Sequence, residues 1–106
     1  MIYEVIVTPA AENDVAEGFA YIQARSPLNA ERWVRGLYKL VHKLESMPKR
    51  CGRAREADDL GLDLRQIVFK SHRIVFQIDE TEGVVFVVRV FHGARLGLTR
   101  EDLDNP

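Results

Sequence analysis

Residues 62–91, "LDLRQIVFKSHRIVFQIDETEGVVFVVRVF", hold three apolar runs separated by two short polar breaks. The runs cover about 62–69, 73–79 and 84–91, and each is rich in β-branched and aromatic residues, so each reads as a strand. The breaks "KSH" and "ETEG" are short enough for hairpins, which makes the three strands antiparallel neighbours. Alternation of side chains then predicts two faces. Val84, Phe86, Val88 and Val90 form one apolar row, Ile74, Phe76 and Ile78 another, and Leu64 with Val68 a third. These rows are expected to meet helices. Arg65, Arg73 and Arg89 fall at the opposite parity, and three-residue connections would converge them on one open sheet face. A two-residue or four-residue loop would turn one strand over and break that convergence.

Upstream, "IYEVIVT" at residues 2–8 reads as a further strand. Thr8-Pro9 has the form of an N-cap followed by proline in the first helical turn. Ala11, Val15, Phe19 and Ile22 then line one face of a helix ending near Arg25. Ser26-Pro27 breaks it and starts a second helix. Ala30, Trp33, Val34, Leu37, Leu40, Val41 and Leu44 make an unbroken apolar stripe there, which stops before Pro48. Trp33 at this spacing is a core residue; Tyr21, Tyr38 and His42 read as packing or partly exposed helix residues. Two helices joined by so short a turn form an antiparallel hairpin. Residues 49–61 read as a loop, and Thr99-Arg100-Glu101-Asp102 as a capping box opening one helical turn. The order is β-α-α-β-β-β. This is an α+β chain, a helical hairpin packed on one face of a mainly antiparallel four-stranded sheet, in one domain spanning residues 1–106.

The totals suit a soluble globular protein of 106 residues: 46% hydrophobic and 29% charged content exclude a disordered chain. No apolar stretch approaches the roughly 18 residues of a membrane span, and "MIYEVIV" lacks the basic start of a signal peptide. Cys51 is the lone cysteine, which rules out an intrachain disulfide and fits a cytoplasmic chain. A net charge of -1 argues against wholesale nucleic-acid binding. The distribution is less even, with eight basic residues and one acid, Glu45, from Arg32 to Arg55. The densest part, "PKRCGRAR", is suited to a phosphate or an acidic partner.

Three guanidiniums on an uncovered sheet face, with His92 at its rim, would make an anion site. A metal-free RNA-cleaving centre needs a base, cations for the phosphorane-like charge and an acid. The sequence offers the cations and, in His92, one proton carrier; a second is not evident. The competing reading pairs Arg65, Arg73 and Arg89 with Asp63, Asp79 and Glu80 as a solvated surface. His42, His72, His92 and Cys51 have no zinc-ligand spacing, and Gly52 and Gly61 make no phosphate-binding loop. No metal or cofactor is implied.

"YEVIVTPAAENDVAEGFAYI", the apolar second helix, "LGLDLRQI", "HRIVFQID" and "VVFVVRVFHGAR" together resemble the RelE/ParE superfamily of bacterial toxins. The resemblance spans roughly residues 2–95 and rests on the ordered set rather than on one motif. It implies a microbial-RNase-like fold, and a toxin of a type II toxin–antitoxin module, of the kind labelled plasmid stabilisation protein. It also implies growth arrest when the toxin is free, a cognate antitoxin, and a toxin–antitoxin hetero-oligomer. RelE-like members cut mRNA on the ribosome; ParE-like members inhibit DNA gyrase.

On the nuclease reading the resemblance assigns catalysis to Arg65, Arg73 and His92, with Arg89 and Arg95 as target or anion contacts. The tyrosine that follows the histidine in such nucleases is replaced by Gly93, and no tyrosine occurs after Tyr38. The slight negative charge and the ending "HGAR" favour the ParE-like branch. The alternatives are the mRNA endonuclease and a non-toxic binding module of the same fold. The groove beside the helices, with Lys49, Arg50, Arg53 and Arg55 on its basic flank, is the expected seat of an acidic antitoxin segment.

Overall fold

The computed structural model describes residues 2–93 and 99–104. Strand β1 (Glu4–Val7) leads into helix α1 (Pro9–Gln23). Thr8 caps that helix, its Oγ1 accepting from the Ala11 N–H at 3.3 Å, and Pro9 fills the position where a missing N–H is harmless. Ser26 repeats the device for α2 (Pro27–His42), accepting from the Asn29 N–H at 3.2 Å. A 3-10 turn, Lys43–Glu45, extends α2, and a second, Pro48–Arg50, follows. The region expected to be loop contains one short helix, α3 (Ala57–Leu60), closed by Gly61 at φ +66°, a left-handed conformation that glycine adopts without strain.

Strands β2 (Leu64–Phe69), β3 (His72–Asp79) and β4 (Val84–His92) follow, and α4 (Arg100–Asp104) ends the described chain. The expected capping box is present: the Thr99 N–H donates to Asp102 Oδ2 at 2.9 Å, and the Asp102 N–H donates to Thr99 Oγ1 at 3.3 Å. The sheet order is β1-β4-β3-β2, with β1 parallel to β4 and the other pairs antiparallel. The α+β architecture and the helical hairpin on one face are those read from the sequence.

The main core lies between the helices and that face. Val15, Trp33, Leu37 and Val41 pack there on Ile74, Phe76, Val85, Val87 and Val90. Each large side chain so buried contributes about 1.5–3 kcal/mol. Two glycines set the spacing. A Cβ at Gly18 would lie 2.7 Å from the Trp33 ring, and one at Gly36 2.7 Å from the Phe69 ring.

Three local features correct the expected faces. Phe69 pairs with His72, so the β2–β3 turn has only two residues, Lys70 and Ser71, with Lys70 at φ +53°. Asp79 pairs with Val84, which makes the next connection four residues long. The register then shifts, with Phe76 opposite Val87 but Val75 opposite Arg89, so Val88 is the extra residue of a β-bulge. The two-residue turn gives β2 the opposite parity: Ile67 and Phe69 pack on the helix side, whereas Val68 is exposed and Leu64 is buried on the far side. In β4 the helix-facing residues are Val85, Val87 and Val90 rather than Val84, Phe86, Val88 and Val90. Only the row Ile74, Phe76 and Ile78 lies as expected. The far face is not open either. Ala54, Ala57, Leu60, Leu62 and Leu103 cover Leu64, Val75, Val88 and Phe91 in a second, smaller core.

Candidate functional site

The convergence of Arg65, Arg73 and Arg89 is refuted by this register. Arg65 pairs with Phe76 and therefore points to the helix side, while Arg73 and Arg89 point to the far side. Arg65 spends its Nη1 on the carbonyls of Lys49 and Cys51, both at 2.9 Å, and its Nε lies 3.9 Å from Asp63. It clamps the loop before α3 to the edge of the sheet.

Arg73 is 6% exposed and lies against Glu56, itself 7% exposed. The pair is bidentate, Nη1 to Oε1 at 3.0 Å and Nη2 to Oε2 at 2.7 Å, and Nη1 also donates to Gln66 Oε1 at 2.8 Å. Arg89 forms a second fork, Nε to Asp14 Oδ2 and Nη2 to Asp14 Oδ1, each at 2.8 Å. Asp14 also accepts from the Val90 N–H at 2.9 Å, and Arg89 reaches Asp102 and lies over the Phe91 ring at 4.6 Å. The hydrogen bonds it donates to Asp14 hold the Arg89 guanidinium more firmly protonated than usual, against the pull of burial. The carboxylates on these two arginines are thus Glu56, Asp14 and Asp102. Of the acids expected to pair, Asp63 only approaches Arg65, Glu80 pairs with Lys49, and Asp79 accepts from the Glu82 N–H in the turn.

His92 ends β4, exposed, directly opposite His72. The rings are 5.3 Å apart and edge-on, and Trp33 flanks His72 at 5.0 Å. Burial pushes the His72 pKa down; His92 adds to that and Asp14 opposes it. The pair faces a cavity of about 420 Å³, also lined by Asp14, Glu17, Tyr21 and Phe91. Arg95 lies outside the described residues. Burial pushes the Cys51 thiol up, despite Arg50 and Arg65, so it is no activated nucleophile. No group of three or more candidate metal ligands occurs among the described residues.

The basic flank is divided. Lys49 pairs with Glu80, Arg53 with Asp58 at 2.8 Å, and Arg55 approaches Glu56 at 3.8 Å. Among the described residues Arg50 has no ion-pair partner, and neither have Arg32 and Lys39 on α2 or Lys43 in the turn that follows it. An apolar groove of about 570 Å³ runs between α2 and β1, lined by Val5, Val7, Val34, Tyr38 and Val41, with Arg35, Lys39 and His42 on its rim. The Glu4 N–H donates to the Gly83 carbonyl just before β4 and the Thr8 N–H to that of Val87, so the backbone groups of Val5 and Val7 face the sheet's outer edge.

Sequence reasoning missed Asp14, Glu56 and His72. Asp14 carried a signal, since it sits three residues after Ala11 on the buried side of α1. His72 was assigned to a turn, and nothing near Glu56 in sequence announced its partner 17 residues away.

Solved structures share this arrangement. A chain of the chromosomal ParDE TA system from P. aeruginosa superposes with a TM-score of 0.70 at 16% identity, over 86% of this chain and 96% of that one. A chain of the RelBE2 toxin–antitoxin complex from Mycobacterium tuberculosis gives 0.57 at 21% identity, over 87% and 99%. The fold is therefore the one found in these toxin–antitoxin assemblies. No curated protein matches the sequence. Residues 5–97 match the family described as the ParE toxin of type II toxin-antitoxin system, parDE, and the chain belongs to that family. No helix among the described residues is long and apolar enough to cross a membrane.

Proposed function

We propose that this chain, acting as one domain over residues 1–106 in the cytoplasm, arrests growth by inhibiting DNA gyrase through protein contacts. Its cognate antitoxin neutralises it. Family membership supports a toxin role, and one observation favours protein contact over RNA cleavage. Two of the three arginines that would stabilise a cleaved phosphodiester are already neutralised, Arg73 by Glu56 and Arg89 by Asp14, and the third, Arg65, points to the helix side and is bonded to the Lys49 and Cys51 carbonyls. A charge-paired guanidinium offers little to a developing oxyanion. The histidine pair does give two proton carriers, but Glu17 lines its cavity and disfavours a phosphate.

The groove between β1 and α2 is suited to the antitoxin. Its floor is apolar, its rim is cationic, and the outer edge of β1 offers unpaired backbone groups to an incoming strand. On the alternative nuclease reading Arg65, Arg73 and His92 would carry the catalysis, with Arg89 and Arg95 as target or anion contacts.

The test is induction of the lone gene with pulse labelling of DNA and protein synthesis, alongside supercoiling by gyrase with purified toxin. Early loss of DNA synthesis and inhibited supercoiling are expected. Early loss of protein synthesis with cut mRNA would instead establish the ribosomal nuclease. Harmless expression of folded protein would leave a binding module.

A further inference from the structure

We propose that His72 and His92 form a two-imidazole chelate for a divalent transition-metal ion, and that Zn²⁺ is the ion their spacing fits. The inference is independent of the gyrase reading. Ser71 and Gly93 form a backbone-bonded pair, the Gly93 N–H donating to the Ser71 carbonyl at 2.6 Å. The adjacent pair, His72 opposite His92, is therefore a non-hydrogen-bonded one. At such positions the Cα atoms approach to about 4.5 Å and the side chains lie closest together.

The ring spacing is then informative. A metal lies about 2.1 Å from a ligating nitrogen, and the ring centroid about 1.2 Å beyond, so two imidazoles at a tetrahedral angle have centroids about 5.3 Å apart. At a right angle, as in a square-planar ion, the separation falls to about 4.6 Å. The observed 5.3 Å, in an edge-on pair, brings both rings within the reach of one tetrahedral ion once the exposed His92 ring turns.

The surroundings suit a cation. The Asp14 carboxylate is matched by Arg89, and Glu17 is a second acid beside the two rings. His72 is held by Trp33 and faces α1 at Gly18, where a Cβ would lie 3.5 Å from Nε2. We assign Nε2 as its ligating atom. The other nitrogen, Nδ1, is buried without a hydrogen-bond partner. Moving the proton there exchanges one unsatisfied group for another. His92 is exposed at the strand's end, and its ring turns out of the 75° edge-on arrangement to complete the chelate. No third protein ligand joins them among the described residues, so water fills the remaining positions. Imidazole nitrogen selects against Mg²⁺ and Ca²⁺, which take oxygen.

Zn²⁺ titration of the metal-stripped full chain by calorimetry, with thermal melts, is the test. One Zn²⁺ per chain and a raised Tm are expected, with no response to Mg²⁺. Losing even an outer partner of a metal site weakens binding roughly 10-fold or more, so His72→Ala and His92→Ala are each expected to weaken it by at least about 10-fold. His42→Ala, on α2, leaves it unchanged. His92 is exposed, so its variant keeps the fold if His72→Ala does not. Absence of Zn²⁺ binding, or binding as tight in His92→Ala as in the native chain, overturns the proposal.

Discussion

Arg73 and Glu56 show how one residue's surroundings decide its role. Both are more than nine-tenths buried, and their two-point contact compensates the loss of water around each charge. Removing one partner strands the other. Arg73→Ala is expected to destabilise the fold by about 3–5 kcal/mol in urea unfolding, and the double change Arg73→Met with Glu56→Met to recover most of that loss. A catalytic arginine would behave differently, losing activity with little change in stability. The sequence marked Arg73 as notable but gave no means of finding its partner. Glu56 was one acid among several in a charged stretch, and only the folding of that stretch onto the far face selects it.

Among the elements, helices and strands were legible because their apolar periods differ, and the caps Thr8, Ser26 and Thr99 were legible from local chemistry. The direction of each strand's side chains was not. Parity depends on the length of two turns and on a bulge, and each of these is a one-residue matter that composition hardly signals. Lys70 adopts a positive φ usually left to glycine or asparagine, so the two-residue turn was disguised. In β4 the uniformly apolar "VVFVV" allowed either parity, and the bulge at Val88 uses both. The α1–α2 contact depends on a missing side chain. Alanine in place of Gly18 raises intrinsic helix stability by up to about 1 kcal/mol. Its Cβ would nevertheless press on Trp33, and overpacking costs about 1–3 kcal/mol. A net fall in Tm for Gly18→Ala is the expected outcome, and a rise would mean that the Trp33 ring moves freely.

At the scale of the whole molecule, the two edges of the sheet are unlike. The outer edge of β2 is partly closed, the Gln66 N–H donating to the Gly52 carbonyl and the Ala54 N–H to that of Leu64. The outer edge of β1 remains beside the apolar groove, with the unpaired cations of α2 nearby. Because Lys49, Arg53 and Arg55 already have carboxylate partners, the proposed docking of an acidic antitoxin segment in this groove would draw its countercharge mainly from Lys39, Lys43 and Arg50. Reversing Lys39 and Arg50 to glutamate is expected to weaken the antitoxin complex and flatten its salt dependence, as measured by titration at several ionic strengths. The same reversal at Arg53 and Arg55 is expected to do less.

The position of β4 also sets when the toxin comes into being. It is the last of the described strands to be synthesised, yet in space it lies between β1 and β3. Until Val84–His92 leave the ribosome, β1 has no strand to pair with, and the Thr8 hydroxyl and the Asp14 carboxylate lack their partners some 75–80 residues away. Contacts of such sequence separation close late. A nascent chain that stops short of Val84 therefore carries α1 to α3 and one hairpin but no complete sheet, and so the cell meets no closed toxin fold until β4 has been made.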